Sequence, residues 1–207
     1  PLLLWVQDPR PWTDWLEIQT VGLFPETCYW NTRIYESVNR LFKQGRVSFV
    51  TQGRYLADKA RILYRLAGQT PVEYLPNPID VETGFDPDTC VKRDEVVFVG
   101  RIASVKRAWL VFCEVAKRMP EYEFYLVGQS QIEKDRNEEI MAPYRTGIPN
   151  LHFVGHLEGE EKFRRIREAK ILINTSIHEA LPVTFLEALA CGTLLVSCQN
   201  PDGMTSR

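Results

Sequence analysis

A chain of 207 residues, 44% hydrophobic and 25% charged, can bury one full core and part of a second, which argues against a disordered segment. Its 25 lysines and arginines face 27 acidic residues, and a net charge of −2 gives no broad basic field for nucleic acid, so any anionic ligand must be gripped by a few local cations. Five cysteines (Cys28, Cys90, Cys113, Cys191 and Cys198) form an odd set without a Cys-x-x-Cys pair, which disfavours a disulfide framework or zinc site and fits a reducing cytoplasm.

In chain order, short apolar runs alternate with stretches of helical period, the pattern of βα units feeding a parallel sheet. Residues 2–6 read as a strand, followed by a tryptophan-rich loop holding Trp12, Trp15 and Trp30. A helix is expected over 31–44, a strand over 47–51, and an amphipathic helix over 54–67 with Leu56, Ile62, Leu63 and Leu66 on one face and Gly68 as its left-handed cap. A strand at 72–75 ends at Pro76-Asn77-Pro78, and the aperiodic stretch that follows marks a boundary. The expected organisation is residues 1–78 as one unit, 79–94 as a linker and 95–207 as a second unit. The second unit alternates strands at 96–99, 123–127, 151–154, 171–174 and 194–197 with helices over 106–119, 132–144, 160–169 and 183–190. The whole is an α/β chain of two Rossmann-like parallel units, the first incomplete and the second lacking its last elements, so the sequence reads as a piece of a longer protein. No apolar run approaches the roughly 18 residues needed to span a bilayer.

Open parallel sheets bind ligands at the carboxyl ends of their strands, so the residues just after each strand of the second unit carry the chemical interest. Gly100 and Arg101 follow one strand, and Lys106 opens the next helix. A glycine turn, a helix N-terminus and two cations suit a diphosphate, whereas the plain alternative is a pair of surface cations in a loop. Farther on, Glu179 precedes a helix whose start is fixed by Pro182, and Glu187 lies inside that helix before Gly192. Ionised carboxylates accept two hydrogen bonds or more, which suits the paired hydroxyls of a sugar or a ribose. The spacing alone says little, since Glu160 and Glu168 repeat it in a charged helix with a solvated face.

Together, Gly100-Arg101 with Lys106, Leu126-Val-Gly128, Phe153-Val-Gly155, Ser176, Glu179, Glu187 and Ala190-Cys-Gly192 resemble the large retaining glycosyltransferase family numbered four, the glycosyl transferases of group 1. The resemblance runs from about residue 72 to 203 and includes Pro76-Asn-Pro-Ile-Asp80. It implies a GT-B fold with two units facing a cleft, and transfer of a hexose from a nucleoside-diphosphate sugar to an acceptor with retention of configuration. It assigns Arg101 and Lys106 to the donor diphosphate, Glu179 to the hexose and Glu187 to the ribose, with Glu179, Arg101 and Lys106 as the catalytic set. Gly100, Thr184 and Gly203 complete the donor side, and Asp8 is an acceptor-side candidate. Where the family commonly has glycines, this chain has Ala180 and Pro182.

The resemblance further implies no metal and no cofactor, the nucleotide-sugar being a substrate. Partners are then the donor and a glycan or lipid-linked acceptor, in polysaccharide or lipid-linked glycan assembly, with a cytoplasmic setting and peripheral contact at the inner membrane face. Asp86-Pro-Asp88 matches a short manganese motif but sits in the irregular linker. His152, His156 and His178 lack metal-ligand spacing. The rival readings are a non-catalytic nucleotide-sugar-binding or partner-subunit module and a Rossmann dehydrogenase or epimerase, the latter disfavoured because no strand leads into G-x-G-x-x-G.

Overall fold

The computed structural model describes residues 2–21, 28, 30–80, 85–102, 108–130 and 134–206. The chain packs as two units, one comprising Pro1–Pro78, His178–Pro182 and Asn200–Arg207, the other Ile79–Ile177 and Val183–Gln199.

The first unit contains β1 (Leu2–Val6), α1 (Trp12–Val21), α2 (Thr32–Lys43), β2 (Val47–Thr51), α3 (Leu56–Tyr64) and β3 (Glu73–Tyr74). Its sheet is parallel in the order β1-β2-β3. Apolar residues on β1, β2 and α3 supply a small core of Val6, Val47, Phe49, Ala60, Leu63 and Tyr64. Phe49 sits 5.5 Å from the Phe42 ring and 5.1 Å from Tyr64.

Two expectations change here. The stretch expected as a tryptophan-rich loop holds α1, because Pro11 presets the entry and its carbonyl accepts from Asp14 N–H at 3.0 Å. Trp15 and Ile18 fall one turn apart and are buried, whereas Trp12 remains 47% exposed. Helix α3 ends at Tyr64, four residues before Gly68: its cap Arg65 takes the left-handed conformation (φ 53°), and Leu66 N–H returns to Arg61 O at 2.9 Å. The Asn39 amide donates to Tyr64 O and Arg65 O, which holds this unusual cap in place of a glycine. The buried face of α3 is Leu56, Ala60, Leu63 and Tyr64, and Ile62 is 64% exposed.

In the second unit, a 3₁₀ turn at Pro87–Thr89 precedes β4 (Arg93–Val99), α4 (Ala108–Arg118), β5 (Glu123–Val127), α5 (Lys134–Gly147), β6 (Leu151–Gly155), α6 (Gly159–Glu168), β7 (Ala169–Asn174), α7 (Val183–Ala190) and β8 (Leu194–Ser197). All five strands are parallel in the order β6-β5-β4-β7-β8. The order reverses beside β4, which creates a topological switch point between β4 and β7. Phe112 of α4 lies 5.5 Å from Phe98 of β4 and 5.4 Å from Phe124 of β5, pinning α4 to the sheet through an aromatic stack.

The carboxyl ends of α6 and α7 have explicit partners. Gly192 (φ 62°) closes α7 with N–H bonds from Gly192 to Leu189 O and from Thr193 to Ala188 O. The Lys92 ammonium donates to Arg167 O, Cys191 O and Thr193 Oγ1 at 2.7–2.9 Å, placing a cation where the carbonyls of α6 and α7 run out. Burial lowers the Lys92 pKa from its ordinary value.

Candidate functional site

The loops at the carboxyl ends of β4, β5 and β6 continue the hydrogen-bonding register beyond the strands. Gly100 N–H donates to Val127 O at 3.0 Å, Gly128 N–H to Gly155 O at 2.8 Å, and Ile102 N–H to Gln129 O at 3.3 Å. Gly128 is required there, since a Cβ at that position would lie 1.9 Å from the Gly100 carbonyl oxygen. On these strand ends opens a cavity of about 370 Å³, lined in part by Gly100, Arg101, Gly128, His156, Lys162 and Thr184. Arg101 is exposed, and Thr184 sits in the first turn of α7.

Glu187, one turn further along α7, is only 3% exposed. Its Oε1 accepts from Lys162 Nζ at 2.6 Å, and its buried Oε2 has no hydrogen-bond partner among the described residues. A buried carboxylate oxygen in that state is a strong acceptor whose desolvation is offset only in part by the neighbouring ammonium. The structure therefore brings Gly100, Arg101 and Thr184 to one cavity and couples Glu187 to the cavity-lining Lys162. An exposed guanidinium, a partly buried ammonium, a hydroxyl and an acceptor-only carboxylate can hold a polyanion that also carries hydroxyl groups. Lys106 lies outside the described residues.

Asp8, Glu179 and Gly203 belong to the other unit. Asp8 Oδ1 meets His178 Nε2 at 3.2 Å, and Asp8 Oδ2 accepts from Arg10 Nε at 2.8 Å. Arg10 is 5% exposed and lies 5.0 Å over the Trp15 ring. Burial pushes the Asp8 pKa up, but the bonds from His178 and Arg10 outweigh it and hold the carboxyl well below the usual carboxylate range. A folded-state pKa below the unfolded one contributes stability that is present above the unfolded value, roughly 4, and lost as pH falls further. Asp8→Asn should thus lower stability by about 1–2 kcal/mol at pH 7, discounted for the partial exposure of Asp8, with the difference from the parent shrinking below about pH 4 in thermal melts.

Glu179 is half-buried, and its carbonyl accepts from Tyr55 Oη at 2.7 Å, as does that of Ala180 at 2.6 Å. Burial and the carboxylates Asp8, Asp202 and Glu179 raise the Tyr55 pKa, keeping its hydroxyl a proton donor. Gly203 (φ 74°) lies in the 3₁₀ turn Pro201–Ser206, where Asp202 accepts the Arg54 and Tyr55 N–H groups at 2.7 and 2.8 Å. Asp202 thereby caps the entry to α3 from 147 residues away, and its φ of 50° is maintained by that pairing.

Sequence reasoning missed Lys162, Tyr55 and Asp202. Lys162 reads as one more charge on a solvated helix because its partner lies 25 residues later. The other polar candidates have partners of their own: Asp86 accepts from Asp88 N–H, His152 meets Glu123, His156 meets Glu158, and Asn174 accepts from Ser176 N–H. Among the described residues, no group of three or more His, Cys, Asp or Glu side chains could hold a metal ion, and no helix is long and apolar enough to cross a membrane.

A five-stranded parallel sheet wound in both directions from β4, preceded by a second parallel unit, is the Rossmann-like architecture of GT-B glycosyltransferases. The chain belongs to the family of glycosyl transferases group 1, which it matches over residues 93–206. Over 148 residues it is 26% identical to one of the subunits of phosphatidylinositol N-acetylglucosaminyltransferase from Homo sapiens, a match covering 69% of this chain and 30% of that protein. It is similar in fold to the pneumococcal O-GlcNAc transferase GtfA in complex with UDP and GlcNAc, with a TM-score of 0.56, 22% identity, and coverage of 76% of this chain and 31% of that one. For a glycosyltransferase from Rickettsia africae ESF-5 the TM-score is 0.59 at 14% identity, over 93% of this chain and 57% of that chain. The chain thus spans less than two thirds of the length of each of these relatives.

Proposed function

We propose that the protein to which this chain contributes is a retaining hexosyltransferase that takes its sugar from a nucleoside diphosphate and needs no metal ion. The observation that carries this reading is the cavity at the carboxyl ends of β4 and β5, with Arg101, Thr184 and Lys162 on its wall and Glu187 behind Lys162. Arg101, with Lys106, neutralises charge as it grows on the departing diphosphate, an interaction stronger in the transition state than in the ground state. Glu187 accepts from the ribose hydroxyls and Glu179 from the hexose, with Gly100, Thr184 and Gly203 on the donor side and Asp8 on the acceptor side. No side chain is assigned as a covalent nucleophile. UDP is the first donor base to test, because the pneumococcal relative of the same fold was crystallised with UDP and GlcNAc. The acceptor is a glycan or lipid-linked glycan, met in the cytoplasm at the inner face of a membrane.

Calorimetric titration with UDP, GDP and their hexose conjugates tests the reading. One nucleotide class should bind, and Arg101→Ala should weaken it about 30-fold, the range for a hydrogen bond to a charged group. Nucleotide binding that Arg101→Ala leaves unchanged would remove the site assignment. A second reading, a nucleotide-sugar-binding partner subunit without turnover, is favoured by the name of the human relative, which is one component of a transferase with several. A product assay with the bound donor separates the two, since the partner-subunit reading expects binding with no transfer.

A further inference from the structure

Lys162 lies in the second unit, outside the residues to which the resemblance assigns a role. It sits on α6, whose Glu160, Glu161 and Arg164 are exposed, and its ammonium is turned inward to Glu187 at 2.6 Å. Its side chain is 24% exposed and that of Glu187 4%. Lys162 also lines the cavity that holds Gly100, Arg101 and Thr184, so the same side chain touches the buried carboxylate and the ligand space. Glu187 needs such a partner. A buried carboxylate is costly to desolvate, and only a charged, well-placed partner offsets that cost. The ammonium on Oε1 offsets part of that cost and fixes the carboxylate plane, while Oε2, itself buried, has no hydrogen-bond partner among the described residues.

We infer that Lys162 is a positioning residue of the donor site, acting through Glu187: it fixes the plane of that carboxylate and so the direction in which its second oxygen can accept from the vicinal hydroxyls of a ribose. The inference rests on the nucleotide-sugar reading above. Its consequence is a specificity, namely preference for ribonucleotide over 2′-deoxyribonucleotide donors that depends on a lysine which never needs to touch the sugar.

The test is calorimetry on the full chain with UDP and 2′-deoxy-UDP (or GDP and its deoxy form if that base binds), using Lys162→Met, Lys162→Arg, Glu187→Gln and the Lys162→Met/Glu187→Gln double variant. Lys162→Met should weaken UDP about tenfold and erase most of the ribose preference, and Lys162→Arg should restore both to within about threefold, as expected when a buried charge partner is lost and replaced. In the Glu187→Gln background, Lys162→Met should cost less than about twofold more, because the two residues act as one unit. The double variant carries no uncompensated buried charge, so it stays folded even where Lys162→Met alone does not. Equal losses for UDP and deoxy-UDP, or losses that add in the double variant, would show Lys162 gripping phosphate directly and overturn the inference. Failure of the parent chain to bind any nucleoside diphosphate would instead remove the reading beneath it.

Discussion

Gly128→Ala is expected to lower the melting temperature of the chain by about 8 °C and to remove nucleotide binding altogether. The added carbon would lie 1.9 Å from the Gly100 carbonyl oxygen and 3.1 Å from its carbonyl carbon, where an ordinary C···O contact needs about 3.3 Å. The obstacle is backbone, so no rotamer change relieves it. The ends of β4 and β5 must part, and the bonds Gly100 N–H to Val127 O and Ile102 N–H to Gln129 O lengthen with them. Overpacking of this kind costs about 1–3 kcal/mol and each weakened hydrogen bond about 1 more, which at 2–4 °C per kcal/mol for a chain of this size gives the stated shift. The same movement displaces Gly100 and Arg101 from the cavity wall. Gly147→Ala is the control, since a Cβ there meets nothing within 4 Å and should leave both melting and binding unchanged. Differential scanning fluorimetry with and without UDP reads both effects, and a Gly128→Ala chain that melts with the parent would contradict the close approach itself.

The contrast between Gly128 and Lys162 explains which parts of this protein were legible in its sequence. The strands of the second unit were readable because a buried parallel sheet writes itself as short apolar runs, and each of 96–99, 123–127 and 194–197 falls within or coincides with an observed strand. Glycine after a strand is likewise a local signal. What escaped the sequence depends on partners far along the chain. Arg65, rather than Gly68, ends α3 because Asn39 reaches over from α2, and a propensity rule has no means of seeing that bond. Tyr55 looks like an ordinary helix-entry residue until its hydroxyl is found on the carbonyls of Glu179 and Ala180. The same holds for Asp202, whose carboxylate takes two backbone N–H groups from the start of α3. Of the candidate site, the residues fixed by one loop (Gly100, Arg101) or one helix (Thr184, Glu187) could be named in advance, whereas the pairing that tunes Glu187 is tertiary.

Glu187→Ala should weaken nucleotide binding more than about 100-fold while changing the melting temperature little, and a second buried glutamate makes that a sharp expectation. Glu95, on β4, is nearly as buried at 7% and is also held by a cation, with Arg165 Nη1 at 2.9 Å and Arg93 at 3.6 Å. Arg165 in turn lies 4.0 Å over the Tyr125 ring and is 17% exposed, so it has little route to solvent if its carboxylate is removed. Glu95→Ala therefore leaves a cation uncompensated in packed surroundings and should cost about 2–3 kcal/mol of stability. It sits near the amino end of β4, the end opposite Gly100 and Arg101, so it should leave UDP affinity alone. Glu187 is the reverse case. Its partner Lys162 already lines an open cavity, so its ammonium can turn to water when the carboxylate goes, and the unpaired Oε2 contributes nothing favourable to the ligand-free fold. On the proposed function, what the Glu187 substitution removes is the acceptor for the donor's hydroxyls. Melting curves and UDP titrations on the two alanine variants should thus cross over, Glu95→Ala unstable but binding, Glu187→Ala stable but not binding. If both variants lost stability alike and bound alike, Glu187 would be a structural ion pair like Glu95, and the donor site would have to be sought elsewhere in the sheet.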